Sequence, residues 1–341
     1  MTSVARPSTG RAASGAMIPE MIPRDLWARW RLSDATDLGG SRSRTWRVRR
    51  GSTVFALKWL PASVRADWRY ETQVMTALRS AGWPAPVLAE EPLVRDDGIW
   101  RLFAWLPGGP APDEGSDDSE GFNRGRLLAE FHAASSPLGA ISRRDGFELP
   151  REAVSDPLLD QWLTVHERHL PEEGRTLRAY REAAAALLAE NGSDLAAALP
   201  AGVPGGAAPG LPSGVPSGVV HGDFTPWNLL FESGTLSGIL DFEACHHNHL
   251  VADFALAWRG DHDDVIRGYD SVRPLSETEW RLVWPTYWAW LFLGVKEILA
   301  EHYSRPGGAS RPADLDWQVR HLLKDSGLLA ATCGPKPVDL A

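Results

Sequence analysis

The chain has 341 residues, 43% of them apolar and 23% charged, which suits a soluble globular protein with one large or two unequal domains. A formal net charge of −9 argues against a nucleic-acid binder. The two cysteines, Cys245 and Cys333, supply neither a disulfide framework nor a Cys-x-x-Cys metal spacing, so a reducing, cytoplasmic setting is expected.

Residues 1–23 lack the continuous apolar core of a secretory signal and read as a disordered leader. "PRDLWARWRL" then reads as a short helix, and "RTWRVRR" with "STVFALKWL" as a strand pair turning at Gly51-Ser52. "RADWRYETQVMTALRSAG" has apolar positions at helical spacing and a stop at Gly82. "PAPVLAEEP" and "GIWRLFAWLPGG" read as two more strands, which predicts a small antiparallel sheet carrying one helix over residues 24–108. Residues 109–118 are rich in Pro, Gly and Asp and read as a loop or linker.

Beyond that loop the expectation is helical. "GFNRGRLLAEFHAAS" is amphipathic, with Leu127, Leu128 and Phe131 on its apolar side, and "RAYREAAAALLAE" centres another helix within 171–199. Residues 201–218 form a Gly/Pro-rich, low-complexity stretch expected as a mobile surface insertion. The apolar run 282–295 is too short to span a bilayer and contains Pro285. Trp280, Trp284 and Trp288 recur every four residues, which points to a packed core face.

Charge divides along the same line. Residues 1–108 carry 16 Lys/Arg against 10 Asp/Glu, and residues 109–341 carry 19 against 34, net charges of +6 and −15. A basic part suits a polyanion such as a nucleotide, and an acidic part suits Mg²⁺ or a cationic acceptor; simple drift of surface charge accounts for the same numbers.

The chemistry concentrates in "VVHGDFTPWNLLF", residues 219–231, followed by "SGILDFEA". Three short strand-like runs, "GVV", "NLLF" and "SGILDF", flank a polar loop, and a hairpin-type platform would gather Asp223, Asn228 and Asp241 at one edge. One carboxylate can accept a proton from a hydroxyl, while an amide oxygen and a second carboxylate are hard ligands suited to Mg²⁺. With no nucleophilic Ser or Cys beside them, this is equipment for phosphoryl transfer.

These segments resemble the catalytic core of the aminoglycoside phosphotransferase and choline kinase family, relatives of the protein kinases. His221-Gly222-Asp223, Asn228 and Asp241-Phe242-Glu243 stand where protein kinases carry His-Arg-Asp-x-x-x-x-Asn and Asp-Phe-Gly. Glu243 departs from the protein-kinase glycine, at a position where the family is permissive. The resemblance covers about residues 24–300. It implies an α+β, two-lobed protein-kinase-like fold, with a small antiparallel-sheet N-lobe (24–108), a larger, mostly helical C-lobe (109–341) and nucleotide in the cleft. Carried over by position, Asp223 is the catalytic base or orienting carboxylate, and Asn228 and Asp241 bind Mg²⁺. Gly39, Gly40 and Ser43 contact the phosphates, Lys58 neutralises them, and Glu71 is the ion-pair partner that aims Lys58. The backbone of Phe103, Ala104, Trp105 and Leu106 meets the base of ATP or GTP.

His221 and Asp253 are expected to be scaffold. "CHHNH", Cys245 to His249, reads as a polar loop near the acceptor rather than a metal site, since neighbouring residues point apart and no second cluster completes a tetrahedron. The implied activity is a kinase acting on a hydroxyl, with no nucleic-acid or membrane partner. The acceptor stays open between a cationic antibiotic such as an aminoglycoside or basic peptide, as in antibiotic resistance, and a Ser or Thr of a precursor peptide in lanthipeptide-type natural-product biosynthesis. A metabolite such as choline, homoserine or a sugar also remains, as does a nucleotide-binding pseudokinase.

Overall fold

The computed structural model describes residues 21–40, 43–62, 67–109, 119–135, 144, 147–196, 215–257, 264–305, 310–323, 327–338 and 340. The leader up to residue 20, the loop 110–118 and residues 201–214 of the Gly/Pro-rich insertion lie outside them. By its contacts the chain divides into two compact units. One takes residues up to 66 together with Pro86–Trp105, and the other takes Asp67–Ala85 and everything from Leu106. The helix expected with the N-lobe sheet, α2 (Trp68–Ser80), therefore falls in the larger unit.

The first unit holds α1 (Arg24–Arg29), β1 (Asp34–Gly39), β2 (Arg44–Arg50), β3 (Thr53–Pro61), β4 (Leu93–Arg95) and β5 (Gly98–Ala104). The strands form one antiparallel sheet in the order β1-β2-β3-β5-β4. Its apolar face is built from alternate residues: Trp46 and Val48 on β2, Phe55 and Leu57 on β3, and Trp100 and Leu102 on β5 are all buried. Trp46 and Trp100 stack with centroids 5.6 Å apart, a geometry that adds about 0.5–1.5 kcal/mol beyond burial. Leu26 of α1 and Trp30, the residue that caps its C-terminus, pack against this face. Ile22, expected in the leader, is buried with them.

Two strands depart from expectation. β1 has only two half-buried residues among exposed ones, so its polar sequence carries no strand pattern; pairing with β2 alone makes it a strand. Residues 84–92 were expected as a strand but contribute one isolated bridge, Leu88 to Phe103, because Pro84, Pro86 and Pro92 cannot donate to a ladder. The edge strand starts one residue later, at Leu93.

The second unit comprises α2 (Trp68–Ser80), α3 (Ser119–Ser135), α4 (Pro150–Ser155), α5 (Pro157–His169), α6 (Pro171–Ala196), β6 (Ser217–Val220), β7 (Leu229–Glu232), β8 (Thr235–Ile239), β9 (His246–His249), α7 (Phe254–Ala257), α8 (Asp264–Val272), α9 (Glu277–Tyr303), α10 (Leu315–Leu322) and α11 (Gly327–Ala331). The Asp67 carboxylate caps α2 by accepting from the N–H groups of Arg69 and Tyr70. A Ser276/Glu279 capping box starts α9.

α9 is the hub, packed by α4, α5, α6, α7, α10 and α11. From Trp280 to Ala289 nearly every residue is buried, the signature of a helix with neighbours all round. The Trp280, Trp284 and Trp288 stripe is core, as its spacing predicts, and Pro285 lies inside the helix without ending it. No described helix is long and apolar enough to cross a membrane. α3 crosses α8 closely because a Cβ at Gly125 or Gly268 would sit 2.0 and 1.9 Å from backbone oxygens of Val265 and Phe122.

The expected three-run platform resolves into two ribbons. β7 pairs with β8 as a hairpin, whereas β6 pairs antiparallel with β9. The histidine cluster is thus a buried strand rather than a loop: His247, Asn248 and His249 are all buried. Val215, at the end of the expected insertion, is also buried.

Candidate active site

The chain leaves β6 at Val220, and the next two residues, His221 and Gly222, are held by one carboxylate. Asp253 is fully buried and accepts from the N–H of His221 (2.7 Å) and of Gly222 (2.6 Å), while His132 Nε2 lies 2.9 Å away. Burial pushes the Asp253 pKa up, but the His132 hydrogen bond and charge, together with His221 and the Gly222 N–H, outweigh it and hold the carboxyl below its usual value. His132 Nδ1 continues the network to the Tyr269 hydroxyl at 2.7 Å.

Gly222 has φ +78°, and a Cβ there would stand 2.4 Å from the Ala244 carbonyl oxygen, so the loop requires glycine. The His221 ring is fixed in one tautomer. Its Nε2–H donates to the Leu240 carbonyl (2.9 Å), and Nδ1 accepts from the Asp223 N–H (3.2 Å). Burial lowers its pKa, and both nitrogens are occupied by backbone, which is a structural role rather than that of a proton carrier.

Asn228 ties the parts together. Its Nδ2 donates to the Asp223 carbonyl (2.9 Å), so the amide oxygen is the atom with which it could meet a cation. Its own carbonyl accepts from Leu240 N–H (2.8 Å), one residue before Asp241. Asp241 sits in the left-handed region at φ 67°, ψ 58°, a conformation that Asp tolerates better than most residues. Asn228 is therefore hydrogen-bonded both to Asp223 and to Leu240, the residue before Asp241, and these bonds form one knot. An amide oxygen and a carboxylate are two hard oxygen donors, which fits Mg²⁺, an ion that takes its other ligands from water and phosphate. Among the described residues, no group of three or more His, Cys, Asp or Glu could hold a metal.

Glu71 on α2 is buried, and within the second unit it pairs with the equally buried Arg144 at 2.8 Å. Arg144 also donates to the carbonyls of Glu243 and Cys245, each at 2.8 Å. Sequence reading missed Arg144; it stands in "SRRDGF", which carries no periodic or motif signal.

The remaining expected residues lie in the first unit, apart from Leu106, with which the second unit resumes. Gly39 and Gly40 form the β1 end of the turn into β2, both with positive φ, and Ser43 precedes β2. The Asp37 carboxylate braces this turn by accepting from the Gly39 N–H (2.7 Å) and from Arg44 (3.2 Å). Lys58 is half-buried on β3, with Thr45 and Arg101 opposite it on β2 and β5. Phe103 and Ala104 end β5, where the Ala104 N–H donates to Val87, and Arg47 lies over the Trp105 ring. In the second unit Pro107 and Gly109 dock on the β7–β8 hairpin, through the Ser237 hydroxyl and the Phe231 backbone respectively.

Comparison with known proteins bears on the family and the fold. A homoserine kinase from Gluconacetobacter diazotrophicus is 38% identical over 74 residues, 18% of this chain, and the match spans 23% of that kinase. A structure of a thermostable mutant of the aminoglycoside phosphotransferase APH(4)-Ia, in ternary complex with ADP and hygromycin B, superposes with a TM-score of 0.59 at 15% identity, covering 91% of this chain and 97% of that one. The GDP complex of an aminoglycoside 2'-phosphotransferase-IIIa mutant gives 0.59 at 17% identity, covering 90% and 94%. At such identities these structures establish the fold, a two-lobed kinase-like α+β architecture. The profile of the phosphotransferase enzyme family matches residues 35–278, most of the chain, including the whole knot around Asp223, and the chain belongs to that family.

Proposed function

We propose that this phosphotransferase is a nucleotide- and Mg²⁺-dependent kinase that transfers the terminal phosphoryl group of ATP or GTP to a hydroxyl of a small, cationic molecule of the aminoglycoside or basic-peptide kind. The observation that carries the proposal is the single knot that joins Asp223, Asn228 and Leu240, next to Asp241, with the adjoining His221 and Gly222 held by Asp253. Such pre-organisation is what phosphoryl transfer demands, because positioning and charge neutralisation supply most of its rate. Asp223 accepts or orients the acceptor proton. Asn228 and Asp241 would hold Mg²⁺, which when bound neutralises phosphate charge. Lys58 and the Gly39–Gly40 turn bind phosphate oxygens, and the backbone of Phe103 to Leu106 reads the base.

The acidic balance of residues 109–341, net −15, favours a cationic acceptor. The two aminoglycoside phosphotransferases of similar fold agree with that choice. A metabolite acceptor is the second reading, favoured by the homoserine kinase match. ADP release measured against aminoglycosides, basic peptides, homoserine and choline separates the two. Asp223→Ala is expected to lower kcat by about 10²–10⁴-fold with little change in nucleotide affinity, and Asp241→Ala to abolish the Mg²⁺-dependent part of turnover. Wild-type turnover in both variants would refute the assignment.

A further inference from the structure

We propose that Arg144 is a positioning residue that holds the backbone around Asp241 in its metal-binding conformation and couples it to Glu71 on α2. The inference rests on the kinase reading above. Asp241 occupies a left-handed conformation, φ 67° and ψ 58°, which the flanking structure must maintain. Upstream, Leu240 is pinned on both sides, its N–H to Asn228 (2.8 Å) and its carbonyl to His221 (2.9 Å). Downstream, the chain makes a single 3-10 turn, Phe242–Ala244, closed by Cys245 N–H to Phe242 (3.1 Å). A turn that short cannot fix its own direction.

Arg144 supplies the missing anchor. Its Nη1 donates to the carbonyls of Glu243 and Cys245, and its Nη2 to the Glu71 carboxylate, all at 2.8 Å. The guanidinium lies 4.7 Å from the Phe147 ring centroid and 5.4 Å from that of Tyr70, and only 2% of the side chain is exposed, so its orientation is set by packing. Phe147 in turn stacks on His246 at 4.7 Å, which extends the brace to β9. One planar fork thus joins α2, the turn after Asp241 and its own connecting segment. Lysine, a compact point charge, cannot make this set of contacts.

The test is the affinity of the non-hydrolysable ATP analogue AMP-PNP, measured by calorimetry with and without Mg²⁺. The ratio of the two dissociation constants reports metal binding independently of turnover, and circular dichroism verifies the fold. Arg144→Lys is expected to keep the fold and to cut the Mg²⁺-dependent gain in affinity about tenfold, leaving metal-free affinity nearly unchanged. Arg144→Met removes the guanidinium altogether, and its ratio should fall at least as far as that of Arg144→Lys. A wild-type ratio in either folded variant overturns the proposal, even if thermal stability drops. A wild-type protein whose AMP-PNP affinity ignores Mg²⁺ would instead remove the kinase reading, and this inference with it.

Discussion

Asp253 shows how much of this site depends on one side chain that touches none of the proposed reactants. Its two oxygens saturate the N–H groups of His221 and Gly222 and face His132, all in a fully buried position. Without the carboxylate, two backbone donors and an imidazole would lose their acceptor in a dry interior, and each such orphan is costly. Asp253→Ala is therefore expected to lower unfolding free energy by about 3–5 kcal/mol in urea titrations, and to reduce kcat even where the folded fraction is corrected for. A loss below about 1 kcal/mol would mean that water replaces the carboxylate and that the loop does not hang on it. Because the Asp253 pKa is held below its ordinary value, its charge contributes stability above that ordinary value and loses it only in strong acid, as pH falls through the folded pKa.

Among the elements, β9 is the one whose chemistry differs most from its sequence appearance. His249 is buried, and burial pushes its pKa down to about 4; His246 is held at about 4 by burial too. The His246 ring is neutral by its contacts, since Nδ1–H donates to the Ala244 carbonyl (2.7 Å) and Nε2 accepts from Asn248 (3.0 Å). Both groups are neutral in the folded chain and protonate near their ordinary value when it unfolds. Unfolding therefore takes up protons between about pH 6.5 and 4, and stability falls as pH falls through that window. Each histidine adds a slope of at most about 1.4 kcal/mol per pH unit. Urea titrations at several values between pH 7 and pH 5 should show this loss, and a His246→Gln/His249→Gln double variant should flatten it. An unchanged slope in the double variant would assign the acid sensitivity to other groups, His221 and His247 among them, which burial also lowers.

For the whole molecule, charge is the property that distinguishes the acceptor readings. With net −15 over residues 109–341, a cationic acceptor experiences long-range attraction that salt screens within roughly 10 Å at 0.1 M. At saturating Mg²⁺ and nucleotide, the KM for an aminoglycoside should rise several-fold between about 20 and about 200 mM salt, while that for homoserine, which has no net charge, should hardly move. Equal salt dependence for both would show that the acidic balance of this part is unrelated to acceptor choice.

Much of the site was legible because its chemistry is local. His221, Gly222, Asp223, Asn228 and Asp241 lie within 21 residues, and apolar flanks bracket them at spacings that only a folded loop explains. The longer helices were legible because one apolar face repeats every three to four residues in α2, and α9 is apolar throughout its middle. β1 was not, since its residues are mostly exposed and only pairing with β2 makes a strand of them. Nor was β9, whose polar side chains gave no reason to expect burial. By itself the sequence determined the reaction class and nominated the donor atoms proposed to perform it, because both follow from side-chain chemistry in one short stretch. Only the tertiary structure decided what holds those atoms in place: Asp253 meets His132 across 121 residues, and Arg144 meets Glu71 across 73 and Glu243 across 99. Partnerships at such separations leave no trace in spacing or periodicity, since they exist only once packing has brought distant segments within hydrogen-bonding distance.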